Sequence, residues 1–190
     1  VVLCTFSTII VFMERRQWPS EPNFPLQMIL SITCILFFHA AVEIRDRENG
    51  FLYLLMAVIC TSATDVFAYF VGRAFGRHKL APRTSSSKTI EGAAGGTAAA
   101  VAAALLMGAV VQRIGVAHVN TAELLIYALA ISVIGQFGDL SLSTVKRMAK
   151  IKDYGSLMPG HGGILDRFDS LLFALPLTFV LYNLSMRCFA

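Results

Sequence analysis

Long apolar runs separated by short polar breaks set the pattern of this chain. The runs cover residues 26–44, 51–72, 93–111, 122–138 and 170–186, with a shorter one over 1–13. Each long run approaches the roughly 20 residues that a helix needs to cross a bilayer core. None shows the alternation of a half-buried strand or the one-sided stripe of a soluble helix. The pattern predicts an all-α fold, a polytopic transmembrane helical bundle with about six spans in this chain. The first run is too short for a full span and begins with Val rather than Met. The chain is therefore expected to lack amino-terminal spans. No basic stretch precedes this run and no cleavage pattern follows it, so a signal peptide is not expected.

Composition fits that picture. Of 190 residues, 56% are hydrophobic and only 15% charged, and mean hydropathy is +0.66, too apolar for a soluble surface. The four cysteines, Cys4, Cys34, Cys60 and Cys188, stand singly in or beside apolar segments without CxxC spacing. They read as small buried or lipid-facing residues, with no zinc site or disulfide framework indicated. Lysine and arginine are strongly biased: the loops after the first, third and fifth runs carry twelve, the other side four. The positive-inside rule places the two basic loops, 73–92 and 140–169, in the cytoplasm. A net charge of +4 concentrated in these loops points to membrane phosphates and a nucleotide, with no nucleic acid expected.

The remaining polar residues gather on that same side. Asp65 is an ionisable group inside an apolar run, where charge at a helix centre costs about 2.5–3.5 kcal/mol and is by default functional; a simple pair with Arg73 is the alternative. Asp139, Ser143, Lys146 and Lys150 recur at helical spacing and would share one face of a continuing helix. They read either as ordinary pairs on a solvated helix, or as a magnesium-binding carboxylate with cations that clamp phosphate. Pro159–Gly163 is a glycine-rich turn that leads into Asp166-Arg167-Phe168-Asp169 at the start of the last run. Such a turn entering a helix N-terminus favours anions, and Asp166 and Asp169 would share a face. Ser85-Ser86-Ser87-Lys88-Thr89 offers hydroxyls and an ammonium, without the glycine spacing of a Walker A loop. Gly92-xxx-Gly96, in an Ala/Gly run, reads as close helix packing. His39, His78 and His118 have no ligand-like partners at helical spacing and are read as bystanders.

These residues also carry a family resemblance. Ser143, Lys146-Arg147, Lys152-Asp153, Pro159, His161-Gly162-Gly163 and Asp166-Arg167-Phe168-Asp169 closely resemble the signature of phosphatidate cytidylyltransferases, also called CDP-diacylglycerol synthases. Thr64–Tyr69 with Gly72–Gly76, and Ser85–Gly92, resemble two further blocks of that family. The resemblance covers about residues 51–185. Ser86 stands in place of a usual proline, and Leu142 where many bacterial members carry Glu.

The resemblance implies transfer of CMP from CTP to phosphatidic acid, with Mg2+ and with pyrophosphate as the second product, in a multi-pass protein of the bacterial inner membrane. By it, residues 1–50 are amino-terminal spans and 51–190 a catalytic transmembrane domain. Asp139 and Asp166 become the principal metal ligands, with Asp169 and Asp65 in support and room for a second metal ion. Asp139, Lys146, Arg147, His161, Asp166 and Arg167 form the catalytic set. Ser85, Lys88, Thr89, Ser143, Lys152, Gly162 and Gly163 bind substrate. A homodimer is a further expectation. The competing readings are a relative that uses another lipid phosphate and a non-catalytic membrane protein that binds anionic lipid.

Overall fold

The computed structural model describes residues 24–82, 85–148, 151, 154, 163, 165–184 and 188–189. Its elements in chain order are α1 (Phe24–Arg45), α2 (Gly50–Phe75), β1 (Lys79–Ala81), β2 (Ser85–Thr89), α3 (Ile90–Ile114), α4 (Thr121–Met148), α5 (Leu165–Phe168) and α6 (Leu171–Asn183). The run over 1–13 lies outside the described residues. The other five expected runs each coincide with a helix. Among the described residues three helices, α2, α3 and α4, are long and apolar enough to cross a membrane, and α6 is a shorter apolar helix.

Large apolar side chains cover much of the outside of this bundle. Leu36, Phe38, Phe67, Phe70, Leu106, Ile126 and Phe137 all stand exposed. In water that surface would be a liability; against lipid it is the expected one. The protein is a multi-pass integral membrane protein.

Helix ends follow local chemistry. The Thr89 hydroxyl caps α3 by accepting the Gly92 N–H at 3.1 Å, and Gly115 closes α3 in the left-handed region at φ 72°. Asn120 caps α4 reciprocally with Glu123, donating to its carboxylate at 2.9 Å and accepting its N–H at 3.4 Å. Helix α4 runs ten residues further than the apolar run that predicts it, so Asp139 lies within the helix instead of at its end. The segment 73–92, expected as a plain loop, contains the antiparallel hairpin β1–β2, with Lys79 opposite Thr89 and Ala81 opposite Ser85.

Helices α2 and α3 pack along one another and make the main helix contact. At Gly92 an added Cβ would sit 2.6 Å from the Ala68 carbonyl oxygen, and at Gly96 2.6 Å from that of Thr64. The Gly92-xxx-Gly96 spacing therefore serves the close approach expected of it. α4 packs on α3, α6 on α4, and α1 on α6. Between α2, α3 and α4 a polar ladder crosses the apolar interior. Thr64 meets Ser132 at 2.8 Å, Ser132 meets Thr97 at 3.1 Å, and Gln136 donates to Thr97 at 3.0 Å. Thr64 also donates to its own helix at Cys60 O, 2.8 Å away, so the buried hydroxyls are satisfied.

The end of the bundle remote from the hairpin is closed by aromatic residues and by the chain's last described residues. Tyr53 makes edge contacts with Tyr127, Tyr182 and Phe189, at centroid distances of 6.0, 5.1 and 5.2 Å. Phe189 bridges Val119, and its carbonyl accepts from Asn49 at 3.3 Å. Cys60 and Cys188 are buried singly in this core, as their sequence positions imply.

Because the Gly96 contact is backbone to side-chain-free backbone, Gly96→Leu cannot be accommodated by a rotamer change. It is expected to cost about 1–3 kcal/mol or more through overpacking, seen as a lower unfolding midpoint in detergent. The same substitution at Gly115, where a Cβ would meet nothing within 4 Å, would act only through backbone strain.

Candidate active site

The C-terminal ends of α2 and α4 and the N-terminal ends of α3 and α6 lie at one end of the bundle, because each connection between successive helices reverses direction there. That topology brings together residues far apart in the chain. A cavity of about 450 Å³ opens between α2, the hairpin, α3 and α4, lined among others by Asp65, Arg73, Lys79, Lys88, Gln136 and Asp139. Carboxylates face it from α2 and α4, and cations from the end of α2 and the hairpin.

Two lysine–carboxylate pairs hold the site. Lys88, at the end of β2, reaches across to Asp139 on α4. The Asp139 carboxylate also accepts the Ser143 hydroxyl, one turn on, at 3.3 Å. Lys146 binds Asp166 at 2.9 Å, and with side chains only 12% and 9% exposed this pair is shielded from water. The other Asp166 oxygen accepts two backbone N–H groups, from Tyr154 at 2.9 Å and Gly163 at 3.0 Å. Burial alone would raise the Asp166 pKa, but Lys146 and the two N–H donors outweigh it and hold the carboxyl below its ordinary value. Asp166 is thus an anion in place.

Asp169 is in the opposite condition. Burial first, and then the negative charge of Asp139, push its carboxyl up to about 7. Among the described residues its close donor is the Ser170 N–H at 2.9 Å. Asp65 accepts the Ser170 hydroxyl at 3.1 Å, which joins α2 to the start of α6. The pairing of Asp65 with Arg73 considered from sequence does not form: Arg73 donates to Tyr69 at 3.3 Å instead.

Other expected residues divide. Thr89 lines the cavity, and its hydroxyl also caps α3 by accepting the Gly92 N–H. Ser85 meets Ser87 at 3.4 Å, and it is Ser87 that lines the cavity. Gly163 is buried and holds Asp166 through its N–H. Arg147 and Arg167 are exposed. Lys150, Lys152, His161 and Gly162 lie outside the described residues. Leu142 is buried, so an apolar side chain suits its position.

Four residues at this end escape a reading of the sequence. Tyr154 lays its ring 5.4 Å from the Lys146 ammonium and donates its hydroxyl to the Leu142 carbonyl at 3.1 Å; burial raises its pKa above the ordinary phenol value. Ser170 carries no signal beyond following Asp169. Gln136 precedes Asp139 by one helical turn, which could have marked it. His78 is no bystander, since its Nδ1 lies 2.6 Å from Glu91 Oε1.

Among the described residues no three His, Cys, Asp or Glu side chains are close enough together to cage a metal ion. The donor set nevertheless suits Mg2+, which takes hard oxygen ligands and is usually held by one or two carboxylates plus substrate phosphates. The mutual repulsion of Asp139 and Asp169 is the kind of strain a divalent cation relieves.

A model of the cytidylyltransferase family matches residues 1–185. The chain belongs to that family. Within it, a phosphatidate cytidylyltransferase of Bacillus subtilis is 43% identical over 148 residues, covering 77% of this chain and 54% of that protein. One of Brucella abortus is 45% identical over 178 residues, covering 93% of this chain and 61% of that protein. The chain thus spans between half and two thirds of the length of these cytidylyltransferases. A solved structure, that of an intramembrane enzyme for archaeal membrane lipid biosynthesis, aligns with a TM-score of 0.47 at 25% identity, over 65% of this chain and 77% of that one.

The Lys146–Asp166 pair is shielded enough to matter for stability. Lys146→Met is expected to lower the unfolding midpoint, and Asp166→Asn in the same chain to recover part of the loss. The double-mutant cycle should give a coupling of about 0.5–3 kcal/mol. A coupling of zero would mean that solvent already screens the pair.

Proposed function

We propose that this chain forms the catalytic part of an enzyme that transfers CMP from CTP to phosphatidic acid, giving CDP-diacylglycerol and pyrophosphate. The observation that carries this reading is the meeting of Asp139 and Asp166 with Lys88 and Lys146 at one end of an apolar bundle, beside a cavity lined by further cations. A triphosphate needs cations, a divalent ion needs carboxylates, and a diacyl substrate needs apolar walls open to the bilayer. Membership of the cytidylyltransferase family supports the same chemistry, as do the names of the relatives.

In this reading a phosphate oxygen of the lipid attacks the α-phosphorus of CTP, forming one P–O bond as the bond to pyrophosphate breaks. The attacking phosphomonoester already carries negative oxygens near neutral pH, so no side chain need remove a proton. Lys88, Lys79 and Arg73 face the cavity and hold the phosphate chain. Lys146 and Arg167 offset charge on the leaving oxygens. Asp139 and Asp166 are the residues to hold Mg2+, with Asp65 and Asp169 behind them; the ion supplies neutralisation of the phosphate oxygens where charge develops. On loading, Lys88 would leave Asp139 for a phosphate. The excess of lysine and arginine in the two loops supports a cytoplasmic position for this end, where CTP is available.

The test is Mg2+-dependent release of pyrophosphate from CTP with phosphatidic acid, using the full-length protein in detergent. Asp139→Asn is expected to lower kcat at least about a hundredfold, as for loss of one strong electrostatic contact in a transition state. Turnover only with another lipid phosphate would redirect the assignment to that lipid. Binding of anionic lipid without any turnover, indifferent to Mg2+, would overturn it.

A further inference from the structure

The hairpin β1–β2 raises a problem of its own. A two-stranded ribbon is at best marginally stable in water, and this one has strands of three and five residues with an irregular register. Yet it supplies Lys79, Leu80, Ser87 and Lys88 to the cavity wall. Something must hold its base.

Glu91, in the first turn of α3, does so. Its carboxylate accepts the backbone N–H of Arg77 at 3.1 Å, the N–H of His78 at 3.2 Å, and contacts His78 Nδ1 at 2.6 Å. A third main-chain link, Ile90 N–H to the His78 carbonyl at 3.0 Å, lies beside them. Both carboxylate oxygens are thus committed to the two residues that lead into β1, and Glu91 is not among the residues that line the cavity. Placement in the first helical turn also favours its negative charge. A carboxylate used up in this way is unsuited to hold a metal or a phosphate. It is suited to fix the angle at which the ribbon leaves the bundle.

We infer that Glu91 is a positioning residue, a clasp that with His78 sets the hairpin over the cavity and so places Lys88 for the nucleotide. This rests on the CTP-dependent reading above. The clasp acts on the geometry of a binding wall, and its loss should appear in nucleotide affinity before it appears in the chemical step.

The experiment uses the full-length protein in detergent and two readouts: steady-state kinetics with CTP and phosphatidic acid, and amide hydrogen exchange. Glu91→Ala is expected to raise KM for CTP about tenfold while kcat stays within about threefold, a loss of binding shared by ground and transition states. In the same variant the amides of Arg77 and His78 should exchange at least about tenfold faster, with those in the middle of α3 unchanged. Glu91→Gln keeps a carbonyl oxygen for the N–H groups and an amide for His78 Nδ1, and should restore most of the affinity. His78→Ala should fall between them. Should Glu91→Ala fail to fold, Glu91→Gln and His78→Ala carry the same comparison. Unchanged exchange at residues 77 and 78 together with unchanged KM would overturn the clasp. So would a large loss of kcat in Glu91→Gln at constant KM, which would put the carboxylate in the chemistry. If wild type turns over no CTP with phosphatidic acid, the functional reading fails, and amide exchange in Glu91→Ala still decides the clasp.

Discussion

Two helix backbones meet with no side chain between them, and much of the rest is arranged by that meeting. Lipid tails are as apolar as leucine, so helices in a bilayer gain little from hydrophobic burial against each other and rely on packing and hydrogen bonds. Glycine at 92 and 96 lets α3 lie on the carbonyls of Ala68 and Thr64. The approach also brings Thr64 and Thr97 within reach of Ser132 and Gln136 on α4, so the polar ladder and the glycine contact are two parts of one three-helix junction. With α2 and α3 this close, their connection has to fold back over the junction, and the hairpin stands where the cavity opens.

Charge is handled differently at the cavity than in the bundle. Inside, polar groups are hydroxyls and an amide, which can satisfy one another without a net charge. At the cavity end carboxylates carry net charge, and lysines from two separate segments are drawn in to pair with them. Lys88 comes from the hairpin and Lys146 from the extension of α4 beyond its apolar run. The ammonium groups stand where cations and phosphates would compete for the same carboxylates. Among the described residues Asp166 is secured by three donors and held as an anion, whereas Asp169 has one close donor and a charged neighbour. The site therefore holds one settled carboxylate and one that responds to whatever binds.

Much of this was legible in the sequence, and the reasons for what was not are physical. Apolar runs predicted α1 to α4 and α6 because the length of a span and the exclusion of charge are constraints that each run states by itself. Helical spacing put Asp139, Ser143 and Lys146 on one face, and that face is the one used. Hydropathy could not see the ten residues by which α4 outlasts its apolar run, because a helix leaving the membrane is limited by capping and not by solubility. The hairpin was invisible for a similar reason: a serine run with a lysine has little intrinsic preference for strand, and its conformation is imposed by the helices at its base. Thr89 has a second task that its place in the serine run does not announce, because capping and ligand binding ask for the same hydroxyl. His78 and Glu91 are thirteen residues apart, a separation that no helical or strand periodicity relates. Tyr154 and Ser170 act through main-chain N–H groups, a ring face and hydroxyls, none of which leaves a mark in one chain.

Phe189 packs on Tyr53, bridges Val119 and accepts from Asn49. In chain order it follows every described helix, yet it joins the turn before α2 to the loop before α4. During synthesis the described helices emerge before the segment around Phe189. The contacts that gather the carboxylates and lysines therefore do not involve Phe189, which serves the remote end alone. The site end and the remote end of the bundle are thus completed by different segments, and a change at Phe189 would loosen the base without touching a carboxylate or a lysine of the cavity.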